Sequence, residues 1–172
     1  MILHHGQLCF STERIIVIQS VYDKFIKLLA SEMSLLSQAA GNAVNEQGAK
    51  RAQEMLLEAQ SHAAKFIVGG PEFASPDDRI SLRPTLLENV TPDCTIWDEE
   101  TFGPSASVYA ALTEEDAIAK ANNSSYGLSA SIHSTNWERA LRIAKDLHYG
   151  QVQINSMTVG DSGKVNPLPH FF

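Results

Sequence analysis

The chain has 172 residues, 44% of them apolar, with 13 Lys and Arg against 20 Asp and Glu and a formal net charge of −7 at neutral pH. That length suffices for one ordinary domain with its own core, and the acidic balance without a Lys/Arg cluster argues against nucleic acid or an anionic membrane surface as a partner. No run of about 18 consecutive apolar residues is present to cross a bilayer, and Met1-Ile2-Leu3, broken by His4 and His5, does not read as a secretory signal.

The expected setting is therefore cytoplasmic. Two cysteines, Cys9 and Cys94, are too few for a disulfide framework, and a reducing compartment keeps both as thiols. Cys94, beside Thr95-Ile96-Trp97, reads as a small buried hydrophobe.

In chain order, Arg14-Ile15-Ile16-Val17-Ile18 is a β-branched run that reads as a buried strand. Ser20 is positioned to cap a helix whose apolar face carries Tyr22, Phe25, Ile26, Leu28, Leu29 and Met33. Asn45 caps a second helix with Ala49, Ala52, Leu56, Ala59 and Ala63 at helical spacing, and Lys65-Phe66-Ile67-Val68 before Gly69-Gly70-Pro71 marks a strand and turn. Residues 72 to 81 read as an exposed loop.

Further on, Ser107-Val108-Tyr109-Ala110-Ala111 reads as a strand, and Thr113 with Asp116 makes a variant capping box for a helix over 114 to 122 that the Asn122-Asn123 pair ends. The unit then repeats: a strand over Leu128 to Ile132, Asn136 as cap, a helix from Trp137 to Leu147, Gly150 as stop and a strand from Val152 to Asn155. Such alternation predicts one α/β domain with a largely parallel sheet flanked by helices. Residues 160–172 carry turn formers, two prolines and no periodicity, and are expected to form an irregular divergent tail.

Three segments carry chemistry. Gly6-Gln7-Leu8-Cys9-Phe10-Ser11-Thr12-Glu13-Arg14 sets a thiol near the start, and Glu99-Glu100-Thr101-Phe102-Gly103-Pro104 stands before a strand. The third comprises Asn122-Asn123-Ser124-Ser125-Tyr126-Gly127-Leu128-Ser129-Ala130 and Gly150-Gln151-Val152-Gln153-Ile154-Asn155. In this order and spacing the set resembles the catalytic domain of the NAD(P)-dependent aldehyde dehydrogenases, over residues 3 to 159. The resemblance implies that 1–159 form a partial aldehyde dehydrogenase catalytic domain.

It also implies roles. Cys9 would add to a small-molecule aldehyde to give a thiohemiacetal, hydride would pass to the nicotinamide of NAD or NADP to leave a thioester, and water would release the acid. Glu100 would hydrogen-bond the nicotinamide ribose, Phe102 would pack near the nicotinamide, and Glu99 would be structural or solvated. The Cys9 N–H is one plausible oxyanion donor, and losing such a donor costs about 2.7–4 kcal/mol in other enzymes.

The family's second oxyanion donor, its general base and its cofactor domain are not matched here, and neither is the tail that the family's homo-oligomers use in subunit pairing. The chain alone is therefore expected to be inactive towards aldehydes with NAD(P), and to expose an apolar patch. A non-catalytic fragment, a pairing subunit or a residual thiol esterase remain as alternatives. His4, Ser11-Thr12-Glu13-Arg14 and Asn155-Ser156-Met157-Thr158-Val159 lean towards the branch acting on vanillin or salicylaldehyde.

Other residues read more plainly. Adjacent His4 and His5 cannot easily face one ion together with Cys9, and no fourth ligand stands at a recognised spacing, so no metal site is expected. Arg14 could lower the Cys9 thiol pKa or serve as a structural ion-pair partner, the commoner role. Trp97, Trp137 and Tyr126 read as core packing or surface cover.

Overall fold

The structure is a computed structural model, and it describes residues 3–35 and 41–158. The expected tail over 160–172 lies outside the described residues. Four strands form one sheet in the order β1-β4-β3-β2: β1 (Arg14–Ile18), β2 (Lys65–Val68), β3 (Thr85–Glu88) and β4 (Ser105–Ala111). β1, β4 and β3 run parallel, with Ile16 opposite Tyr109 and Leu86 opposite Ala106. β2 closes the other edge antiparallel to β3, with a register irregularity between Phe66 and Val68.

β4 lies between two neighbours and is buried from Ser105 to Tyr109. A strand covered on both faces shows no in-out alternation. One face carries Leu87 and Tyr109 against Met55, Leu56 and Ala59 of α2 (Glu46–Ser61), with Cys94 and Ile96 closing the cluster. On the other, Val17, Leu86 and Val108 meet Met33, Ile26 and Leu29 of α1 (Tyr22–Leu35). Cys94 is 3% exposed, the buried thiol that its neighbours predict.

A second sheet has only two strands, β5 (Ser129–Ile132) and β6 (Gln151–Ile154), paired in parallel. α3 (Glu114–Asn122) packs against β1 and β4, and α4 (Trp137–Asp146) against β6. The helix starts follow local chemistry: Asn45, Thr113 and Asn136 each accept a main-chain N–H three residues on. Asp116 completes the α3 cap by accepting from the Leu112 N–H at 2.9 Å.

Several expectations are corrected. Ser20 caps nothing, because a 3₁₀ turn over Gln19–Val21 precedes α1 and no side-chain cap bond forms there. Phe25 and Leu28 are 40% and 58% exposed, so the buried face of α1 is the narrower one of Tyr22, Ile26, Leu29 and Met33. Ala63 stands past the end of α2 in a left-handed conformation, φ 67°. Residues 72 to 81 are the mostly exposed loop expected of them, closed where Phe73 bridges Leu82 and the Ala74 N–H donates to the Ser81 carbonyl at 2.8 Å. β3 was not anticipated.

Candidate active site

The Cys9 segment is an irregular stretch fastened to its surroundings at several points. The Ser11 N–H donates to the Leu8 carbonyl at 2.7 Å, closing a tight turn that puts Cys9 in the second position with its side chain exposed. Gln7 Oε1 accepts from the Val44 N–H at 2.9 Å, just before α2, and the Phe10 carbonyl accepts from the Thr158 hydroxyl at 2.7 Å. Among the described residues no acceptor takes the Cys9 N–H.

Below the turn, His5 is fully buried, with φ 59° and Nδ1 3.2 Å from the Gly41 carbonyl. Its Nε2 has no partner among the described residues. Burial holds the imidazole below its ordinary pKa, against smaller raising effects of the Gly41 carbonyl and Asp78.

The second segment, between Trp97 and β4, packs on the flank of α2. A Cβ at Gly103 would stand 2.8 Å from the Ala52 methyl, so only glycine lets the backbone approach the helix this closely. Arg51, one position earlier on α2, donates to the Glu100 carbonyl at 2.7 Å and to the Glu99 carboxylate at 3.0 Å. Glu99 is thus a structural carboxylate in a solvent-exposed pair. The half-buried Glu100 carboxylate has no hydrogen-bond partner among the described residues, while Phe102 is 38% exposed on a left-handed backbone, φ 47°.

One side chain joins the two segments. Glu13, four residues after Cys9, accepts from the Thr101 N–H at 3.2 and 3.1 Å, from the Thr101 hydroxyl at 3.1 Å and from the Phe102 N–H at 3.3 Å. The Thr101 hydroxyl in turn accepts from the Gly103 N–H at 3.3 Å and from the Ser105 hydroxyl at 3.2 Å, which fills its bonding capacity. Burial pushes the Glu13 carboxyl up in pKa, opposed by the Thr101 and Phe102 donors and aided by the negative charge of Glu100. Gln7, Glu13 and Thr101 stood inside the quoted motifs without a role of their own, and Arg51 was not picked out from sequence. The available signal for Glu13 was an acid directly ahead of a β-branched strand run.

Among the described residues Arg14 forms no ion pair, and its structural role runs through carbonyls and rings instead. Its guanidinium donates to the carbonyls of Asn123 at 2.7 Å and Lys120 at 3.1 Å, at the end of α3, and stacks on Trp97 and Tyr109. Helix C-terminal carbonyls attract a cation, so the contact fastens α3 to the sheet. Trp97 is a packing residue, edge-on to Tyr109 with ring centres 5.2 Å apart, whereas Trp137 and Tyr126 lie at the surface.

The cysteine turn and the Glu100 to Phe102 loop thus share α2 as a platform and Glu13 as a link. An exposed thiol beside an unengaged amide can attack a carbonyl and stabilise the charge that develops. Beside them stand a carboxylate with no partner among the described residues and an aromatic side chain on a left-handed backbone.

A family model described as aldehyde dehydrogenase family matches residues 1–168. The NADP(+) succinate-semialdehyde dehydrogenase of Deinococcus radiodurans is 35% identical over 161 residues, which cover 89% of this chain and 33% of that protein. Vanillin dehydrogenase of Pseudomonas fluorescens is 34% identical over 170 residues, covering 94% and 34%. Betaine aldehyde dehydrogenase from Staphylococcus aureus, solved in complex with NAD+, shares the fold with a TM-score of 0.84 at 29% identity, covering 91% of this chain and 33% of that one. The chain therefore spans about a third of the length of the relatives it matches. With its cysteine turn, its Glu100 to Phe102 loop and its mostly parallel sheet, the chain belongs to the aldehyde dehydrogenase family.

Proposed function

We propose that this chain is the nucleophile-bearing part of an aldehyde dehydrogenase, which oxidises an aldehyde to a carboxylic acid with NAD or NADP. Cys9 adds its sulfur to the aldehyde carbon to form a thiohemiacetal, and the Cys9 N–H stabilises the oxyanion. A bound nicotinamide supplies the hydride acceptor. Cys9 then carries the acyl group as a thioester until water releases the acid. Glu100 holds the ribose hydroxyls and Phe102 limits where the ring can lie.

The observation that carries this reading is the exposed Cys9 turn tied, through Glu13, to the loop bearing an unpartnered Glu100 carboxylate and a half-exposed Phe102. Both cysteines are free thiols, in keeping with action in the cytoplasm. Relatives acting on succinate semialdehyde and on vanillin are similar to nearly the same degree. The aromatic preference therefore rests on His4 and the segments around Ser11 and Asn155.

The test is protection of a thiol. In the purified chain, iodoacetamide should label Cys9 well ahead of Cys94, and vanillin, but not the corresponding alcohol, should slow that labelling. The chain alone should form no reduced nicotinamide above a Cys9→Ala control. Labelling of Cys9 no faster than of Cys94, or no protection by any aldehyde in a broad panel, overturns the reading. Hydrolysis of an activated ester that vanishes in Cys9→Ala would favour a residual thiol esterase, a second reading that the exposed sulfur supports.

Pairing of two copies belongs to the same proposal. Phe25, Leu28 and Leu35 of α1, with Val21 just ahead of it, form an exposed stripe flanking the buried face. Two antiparallel α1 helices crossing at Leu28 would bring Val21 beside Leu35 and Lys24 beside Glu32, each twice, which is the self-complementarity a two-fold interface needs.

A further inference from the structure

The Glu13 carboxylate has the features of a device rather than of a solvated charge. It is largely buried, although burial disfavours its ionised form. Among the described residues its donors all come from two consecutive residues, Thr101 and Phe102, 88 and 89 positions along the chain. Consecutive amides can converge on one anion where the backbone takes left-handed dihedrals, and Phe102 takes them, φ 47°. A residue with a side chain held there costs of order 1–3 kcal/mol, so the surroundings must over-determine it.

Packing does not supply that determination. Phe102 is 38% exposed, and the contacts that fix its backbone are its N–H to Glu13, the Gly103 N–H to the Thr101 hydroxyl that Glu13 also engages, and the close seat of Gly103 on Ala52. Glu13 itself is fixed by the strand it opens, because its carbonyl accepts from the Ser107 N–H at 2.8 Å. Movement of the Phe102 backbone is thereby coupled to the short stretch between β1 and the Cys9 turn.

We propose that Glu13 is a positioning residue for the nicotinamide-facing wall: its carboxylate holds Phe102 in its strained conformation and so sets where the ring stands relative to the Cys9 sulfur. This rests on the reading that Cys9 and Phe102 flank one reaction centre. Glu13 acts through Thr101 and Phe102, by their two amides and the Thr101 hydroxyl.

The experiment compares two thiol reagents on the 172-residue chain: iodoacetamide, which is small, and 2,2′-dithiodipyridine, which brings a flat ring to the sulfur. General destabilisation speeds both reactions alike, so the informative readout is the ratio of their rates at Cys9. Glu13→Gln should change that ratio by about threefold or more, the low end of couplings between contacting residues. Phe102→Ala should change it too, and the double variant should show no further change. Glu13→Asp, which keeps the charge on a shorter arm, should restore part of the ratio.

Should Glu13→Gln fail to fold, Thr101→Val removes the hydroxyl donor but keeps both amides, and a smaller shift in the same direction is expected. A ratio that moves in Phe102→Ala but stays at the wild-type value in Glu13→Gln, or in Thr101→Val where that variant stands in, overturns the inference and leaves the dehydrogenase reading intact. A ratio indifferent to Phe102→Ala overturns both, because Phe102 then does not border the sulfur.

Discussion

The Arg14 guanidinium lies 5.1 Å from the centre of the Trp97 ring while it donates to two carbonyls at the end of α3. Hydrogen bonds from a charged group contribute roughly 1.5–3 kcal/mol each. Arg14→Ala should therefore lower stability by about 3 kcal/mol in urea unfolding, and Arg14→Lys, which loses the planar fork, by about 1–2 kcal/mol. Since Arg14 is spent on carbonyls and rings, iodoacetamide labelling of Cys9 in the folded Arg14→Met chain, which lacks the charge, should be unchanged. A large fall in that rate would revive Arg14 as an activator of the thiol.

His5 makes stability depend on pH below neutrality. Its imidazole is held neutral by burial in the folded chain, whereas in the unfolded chain it protonates below about pH 6.5. Stability should be level above that pH and decline below it, until the lowered folded-state pKa is reached. Asp78 and Asp98 hold depressed values through hydrogen bonds to Ile80, Ser81, Ser124 and Ser125. Their contribution is complete above the ordinary carboxylate range and is lost only as the pH falls through their lower values. Urea midpoints measured across pH should separate the two windows, and His5→Gln should remove the upper one alone.

Gly103 offers a steric test of the platform. Gly103→Ala would place a methyl 2.8 Å from the Ala52 Cβ, and overpacking of this kind costs about 1–3 kcal/mol. Ala52→Gly removes the obstructing atom at about 1 kcal/mol in helix propensity. Thermal melting of the double variant should show less than the sum of the two losses. Strict additivity would mean that the loop does not rest on α2 at this point.

The α1 stripe predicts self-association. Light scattering on a sizing column should report twice the chain mass at micromolar concentration, and Leu28→Lys should return the single mass by setting two lysines against each other at the crossing point. A wild-type chain that elutes as a monomer throughout that range would dismiss the pairing.

The helix caps were legible because Asn45, Thr113 and Asn136 act within three residues of their own position. β1 was legible from its β-branched run. β3 was not: Thr85-Leu86-Leu87 is buried on both faces, so it has no alternation, and it is too short to stand out after Pro84. Phe25 and Leu28 were assigned to the core because periodicity reports an apolar face without reporting what covers it. Cys9, Glu100 and Phe102 were singled out as parts of local motifs. The Glu13 contact was hidden for a different reason, since a carboxylate between Thr12 and Arg14 reads as solvated until the fold brings Thr101 to it from 88 residues away.

The small β5–β6 sheet stands apart from the four-stranded one, and neither large apolar cluster includes a residue from it. All eight of its residues remain partly exposed. Amide protons there should exchange with deuterated solvent long before those of β3 and β4, because opening this pair leaves both clusters undisturbed. Gentle denaturation should therefore release this pair before the four-stranded sheet gives way.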